Sequence, residues 1–122
     1  MFKNKKHAFD EKADVKIFSI FDPEAKTLAF SPPFFAASTE AAYLAVADTV
    51  CRYYQSSAEV FNSPMMRMSL VSFGYFSLEK GNYTDSKQVY IPFAEIFSSG
   101  FVKQYVLHYD FKMNHQPHNE KV

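Results

Sequence analysis

The sequence holds no tryptophan, one cysteine and three glycines among its 122 residues. With Cys51 alone, no intramolecular disulfide can form, and a reducing compartment suits the chain. So few glycines leave little room for turns built on left-handed backbone. Arginine is nearly as scarce: only Arg52 and Arg67 carry guanidinium groups, and 13 basic residues balance 13 acidic ones. A protein that grips duplex nucleic acid carries a stronger basic footprint. No apolar run approaches the ~18 residues of a membrane-spanning helix. The N-terminal "MFKNKKHAFDEKADVK" has lysines but not the apolar stretch of a secretory signal. No G-x-S-x-G, P-loop or H-E-x-x-H motif occurs. These absences lead us to expect a soluble cytoplasmic protein with no enzymatic activity, no cofactor and no membrane contact.

Aromatic side chains are what the chain has in excess: 14 Phe and 8 Tyr, within a 48% hydrophobic composition that can fill the core of one domain. Charge is spread unevenly. Residues 1–16 sum to +2, residues 17–102 to −3 and residues 103–122 to +1. Residues 1–13 read as a flexible lysine-rich arm, 14–112 as a single domain and 113–122 as a polar tail.

Within the domain, "DVKIFSIFD" alternates as a strand with apolar residues on both faces, the pattern of a central or interface strand. Asp22 and Pro23 open a turn, and Thr27–Phe30 is expected to return as the second strand of a hairpin. Pro32 and Pro33 should end that strand, since neither can donate to a ladder. Ser38 or Thr39 then caps a helix that presents Ala42, Val46, Thr49, Val50 and Tyr53 on one face and ends near Gln55. Ser57–Pro64 reads as a loop. A second hairpin follows, with Met66, Met68 and Leu70 on one face of its first strand and Arg67, Ser69, Val71 and Phe73 on the other. Gly74 marks a bulge or a close backbone approach, Glu79–Asn82 a turn, and Ser86–Phe93 a return strand whose Pro92 belongs at a sheet edge. Phe93–Phe97 reads as a helical turn stopped at Ser98–Gly100. The Tyr, Val and Phe content of Phe101–Phe111 favours a further strand. The expected fold is therefore α+β: a small single domain of two β-hairpins in an antiparallel sheet with one main α-helix. Its order is β-β-α-β-β plus a C-terminal strand.

Few residues invite chemistry. His108, His115 and His118 match no standard zinc spacing, and Cys51 lies far from them in sequence; no metal site is expected. His7 has no evident partner. Cys51 falls beside the apolar stripe of the helix, where a small buried core residue is the natural reading. The aromatics offer one function. Phe or Tyr on an open strand can stack unpaired bases while nearby cations meet phosphates. The nucleic-acid-binding candidates are Phe34, Phe35, Tyr75, Tyr83 and Tyr90, with Lys16, Arg67, Lys80 and Lys87. The competing reading puts these rings in the core or in an oligomer interface. With one main helix, something must cover the second face of the sheet, and a homodimer would do so.

Two motifs carry a family resemblance. "IFSIFDPEAKTLAFSPPFFAASTEAAYLAVADTV" runs from a strand ending in Asp, through Pro32-Pro33-Phe34-Phe35-Ala36, into an alanine-rich helix. Downstream, Pro64 precedes "MRMSLVSFGYFSLEKG", which places Gly74, Phe76 and Gly81 in order. Together these resemble the nonstructural proteins of gokushovirus-type microviruses, small single-stranded DNA bacteriophages, over residues 15–85. The turn "SLEKGNY" has fewer aspartates than that family's. The resemblance implies a phage protein of the host bacterial cytoplasm that acts in genome replication or in the replication-to-packaging switch. It implies single-stranded DNA as a partner, whereas the neutral net charge and scarce arginine favour the alternative of an interaction module that docks on phage or host replication proteins without binding nucleic acid. It transfers no binding residue.

Overall fold

The structure, a computed structural model, describes residues 14–112. The expected arm over 1–13 and tail over 113–122 lie outside the described residues. Strand β1, Asp14–Phe21, alternates between two faces: Phe18 is buried and Ile20 packs on the core, while Val15, Ile17 and Phe21 point the other way. It pairs antiparallel with the three-residue β2, Phe34–Ala36, on one side and with β3, Ser69–Ser77, on the other. Strand β4, Tyr83–Pro92, closes the sheet in the order β2-β1-β3-β4. The domain is α+β with an antiparallel sheet, as expected, and β1 is central. Pro92 ends the edge strand β4, where its missing donor is harmless.

The first connection departs from expectation. Thr27–Phe30 forms no strand; only a single bridge joins Phe30 to Phe21, and the return strand comes after the prolines. Ser31 explains the shift. Its N–H donates to the Ile20 carbonyl at 2.8 Å, and its hydroxyl accepts from the Ile20 N–H at 2.9 Å. A side chain thus supplies the acceptor, and regular pairing resumes only at Phe34, once the chain has passed two residues without donors. Of the adjacent phenylalanines, Phe34 stacks on buried Phe18 with centroids 5.9 Å apart, and Phe35 points outward.

Helix α1, Thr39–Cys51, is capped by Ser38, whose Oγ accepts from the Ala41 N–H at 3.0 Å. It ends four residues before Gln55. Ser56 caps a new helix, α2, Ser57–Phe61, accepting from the Glu59 N–H while the Glu59 carboxylate accepts from the Gln55 N–H. This reciprocal pair turns the expected loop into a helical turn. A 3-10 turn, Pro64–Arg67, follows, so β3 begins only at Ser69 and Met66 and Met68 pack on the core ahead of it. On α1, Ala42, Val46 and Val50 are buried as expected, whereas Thr49 and Tyr53 are exposed and Ala47 and Cys51 take their places.

The rotation of that stripe reflects a second helix beside α1. After the short α3, Phe93–Ile96, the expected C-terminal strand is instead α4, Gly100–Leu107. Val102 and Val106 lie one turn apart and are both fully buried, and the Tyr105 hydroxyl donates to Asp48 of α1 at 2.7 Å. Burial against α1 overrides the strand propensity of the Tyr and Val residues. Helices and core cover one face of the sheet over Phe18, Leu70 and Phe34.

Gly74 sets the shape of the sheet. The register shifts beside it in both ladders, and its φ is +153°. A Cβ there would run into the carbonyl oxygen of Thr84. The expected bulge and close approach are the same feature: β4 crosses tightly over Gly74, and Ser86–Gln88 bow out of the ladder.

Candidate functional site

Alternation along the four strands leaves one face without helices among the described residues. On this outer face Phe21 meets Phe30 at 5.0 Å and Tyr90 edge-on at 5.5 Å, Phe30 meets Phe73 at 6.3 Å, and Phe35 meets Phe76 at 6.4 Å. The rings bury Val71, which is fully enclosed yet faces away from the helix-side core. They do not bury themselves: Phe30, Phe35, Tyr83 and Tyr90 keep 42%, 63%, 47% and 45% of their surface.

Between them runs a groove of about 350 Å³ lined by Ile17, Ser19, Phe30, Ser31, Pro33, Phe73 and Tyr83. No charged side chain lines it. Its hydroxyls are occupied: Ser19 Oγ donates to the Ser31 carbonyl at 2.7 Å, and the Tyr83 hydroxyl donates to the Phe73 carbonyl at 3.3 Å. The Asp85 carboxylate beside it holds the Tyr83 phenol above its ordinary value. What remains for a ligand is apolar contact.

The cations expected to meet phosphate lie elsewhere. Arg67 Nε and Nη2 donate to the two carboxylate oxygens of Asp22 at 3.0 and 3.1 Å, and Nη1 donates to the Pro64 carbonyl at 3.0 Å. Glu24 stands 3.6 Å from Nε. This bidentate pair pins the β1–β2 connection to the 3-10 turn and leaves the guanidinium little to offer a phosphate. The same bonds, with one from the Glu24 N–H, hold the Asp22 carboxyl below its usual value. Lys16 lies on the opposite face, directly across from Tyr75. There, beyond the helices, a groove of about 230 Å³ is lined by Lys16, Ser72, Tyr75, Val89 and Ile91 among others. Lys80 sits in the β3–β4 turn with Asp14 and Glu79 nearby. Lys87 is exposed on the bowed part of β4.

The nine expected residues therefore do not form one site. Phe35, Tyr83 and Tyr90 share the outer face, Lys16 and Tyr75 the inner one. Lys80 and Lys87 flank the sheet, Phe34 is half-buried in the core, and Arg67 is paired. Sequence alone does not mark the groove walls Phe30 and Phe73, since Phe30 stands at an expected strand end and Phe73 alternates beside the bulge.

Cys51 is fully buried, and burial, followed by the charge of Asp48, pushes its thiol up to about 12. Among the described residues no three His, Cys, Asp or Glu side chains cluster to hold a metal ion. His108 donates from Nδ1 to the Gln104 carbonyl at 2.9 Å; His7, His115 and His118 lie outside the described residues. No helix among those residues is long and apolar enough to cross a membrane. No family model, curated protein or solved structure matches the chain.

Proposed function

We propose that this protein is a non-enzymatic interaction module that docks protein surfaces through the outer face of its sheet. We place it in a microvirus, in the host bacterial cytoplasm, where it serves genome replication or the switch from replication to packaging. The observation that carries the docking reading is the uncharged groove walled by Phe30, Phe73 and Pro33 amid half-exposed rings. Such a surface gains by excluding water against another apolar surface and has no partner for a phosphate. The phage setting is supported by the sequence resemblance alone, whose two motifs fall on β2 and on the Gly74 bulge. Cys51, buried with its thiol pushed up, is not an activated nucleophile.

The test separates two faces. Tagged protein is recovered, after nuclease treatment, from the bacterial cells that make it, alongside Tyr90→Glu with Phe35→Glu and, separately, Lys16→Glu. Docking predicts a protein partner, another copy included, that survives nuclease and is lost only with the outer-face pair.

A second reading, single-stranded DNA binding, is favoured by one observation: Lys16 and Tyr75 are cross-strand neighbours beside an open groove with apolar walls at Val89 and Ile91. A base could stack there while Lys16 meets its phosphate. Fluorescence polarisation with a labelled 20-mer of thymidine at low salt decides it. Binding below tens of micromolar that weakens with salt and is lost in Lys16→Glu would establish this reading in place of docking.

A further inference from the structure

Strand β4 ends the sheet, so one side of its backbone pairs with β3, and no strand lies along the other among the described residues. The hairpin bond fixes which groups point outward. The Ser77 N–H donates to the Asn82 carbonyl at 2.9 Å, which makes Ser77 and Asn82 a bonded pair. Bonded and unbonded pairs alternate along an antiparallel ladder. Tyr83 and Asp85, opposite Phe76 and Gly74, are then unbonded to β3, and Thr84 between them is bonded. The Thr84 carbonyl does point in at Gly74. The N–H and C=O groups of Tyr83 and Asp85 therefore face away from the sheet.

Exposed edges are commonly guarded against added strands by lysine, proline or a bulge. On β4 these guards lie together at one end: the bow at Ser86–Gln88 with Lys87 in it, then Pro92. Tyr83–Asp85 carries none of them, and all its residues are exposed. Its two outward-bonding residues also share the outer face, where Tyr83 borders the groove and Asp85 stands two residues on. Asp85 forms no ion pair among the described residues.

We infer that Tyr83–Asp85 accepts an extended peptide segment of another protein as an added antiparallel strand. The open donors and acceptors of Tyr83 and Asp85 are matched only by another extended backbone. The unpaired carboxylate selects which one: the segment carries a cation opposite Asp85 and, two residues later, an apolar side chain against the Tyr83 ring. An anionic segment is repelled at the same place. A second copy fits less well. Paired two-fold over these residues, each copy's bow at Ser86–Gln88 would meet the other's turn at Glu79–Asn82, and a free extended segment has neither. The inference goes beyond the docking reading, because it uses the edge of the sheet and not its outer groove.

Amide NMR of the nitrogen-15-labelled full chain at low salt tests this. The probes are the blocked peptide Thr-Val-Lys-Thr-Val-Thr, added to about 1 mM, and a counterpart with glutamate in place of lysine. In the free protein the Tyr83 and Asp85 amides should exchange with solvent faster than that of Thr84. The lysine peptide should shift both amides and slow their exchange, and the glutamate peptide should bind about threefold or more weakly. Asp85→Lys, at an exposed position, should reverse that preference and leave the melting temperature unchanged. Three results overturn the inference: no response of these amides to either peptide, a preference that Asp85→Lys does not reverse, or protection in the free protein that disappears on dilution, which would give the edge to a second copy. None of them touches the docking reading, which the nuclease-resistant partner and its loss in Tyr90→Glu with Phe35→Glu decide separately.

Discussion

At the scale of single residues, three positions define limits. Gly74 holds φ +153° beneath β4, with the Thr84 carbonyl where a side chain would begin. Gly74→Ala should lower stability by about 2 kcal/mol or more, seen as a fall in melting temperature, because strain and a backbone clash coincide. Asp22 gives a pH signature. Its carboxyl is held below the ordinary value of 3.8, chiefly by hydrogen bonds from Arg67. A depressed folded-state pKa adds stability that is present above the unfolded value and is lost as pH falls through the folded one. Thermal unfolding from pH 6 downward should therefore show wild type and Arg67→Met converging below about pH 4. Parallel curves would mean that the pair contributes nothing. Cys51 should react with thiol reagents at pH 8 only after denaturation, since its thiol is buried and its pKa stands near 12.

At the scale of elements, the sequence was legible where one local rule decided and illegible where packing did. Ser38 capped α1, Gly74 bulged, Pro92 sat on an edge strand and Glu79–Asn82 turned the chain, each for a reason present in a few consecutive residues. Ser38→Ala should cost about 1 kcal/mol through loss of the bond to the Ala41 N–H, measurable by urea unfolding. The Ser-Ser-Ala-Glu run at 56–59 carried a helix-start signal as plain as that of α1, and reading it as a loop missed α2. Two other misses had no local signal. Ser31 replaces a ladder acceptor with its hydroxyl and so moves the return strand past Pro33. Phe101–Leu107 alternates and also repeats every four residues; only its contact with α1 selects the helix.

At the scale of the whole molecule, the fold class followed from pattern, but the division of aromatics between faces did not. A period of two sorts residues into two faces and cannot say which face the helices will cover. Phe34 and Phe35 show this: adjacent, alike, and on opposite sides, one stacked on Phe18 and the other mostly in water. The bulges at Gly74 then change the parity of β3, so Tyr75 joins Lys16 while Phe76 joins Phe35. The expected union of rings and cations is divided by the sheet itself. Among the described residues helices cover one side, the groove on the other has no charged lining, and the cations fall outside it. The proposed docking rests on this outer face and its half-exposed rings.

The most direct test is residue-resolved NMR of the ring resonances of Phe30, Phe35, Tyr83 and Tyr90 in labelled protein at low salt. They should stay unmoved when a 20-mer of thymidine is added, as an apolar docking face has no partner for phosphate. Rings that shift and broaden with the oligonucleotide would contradict the account.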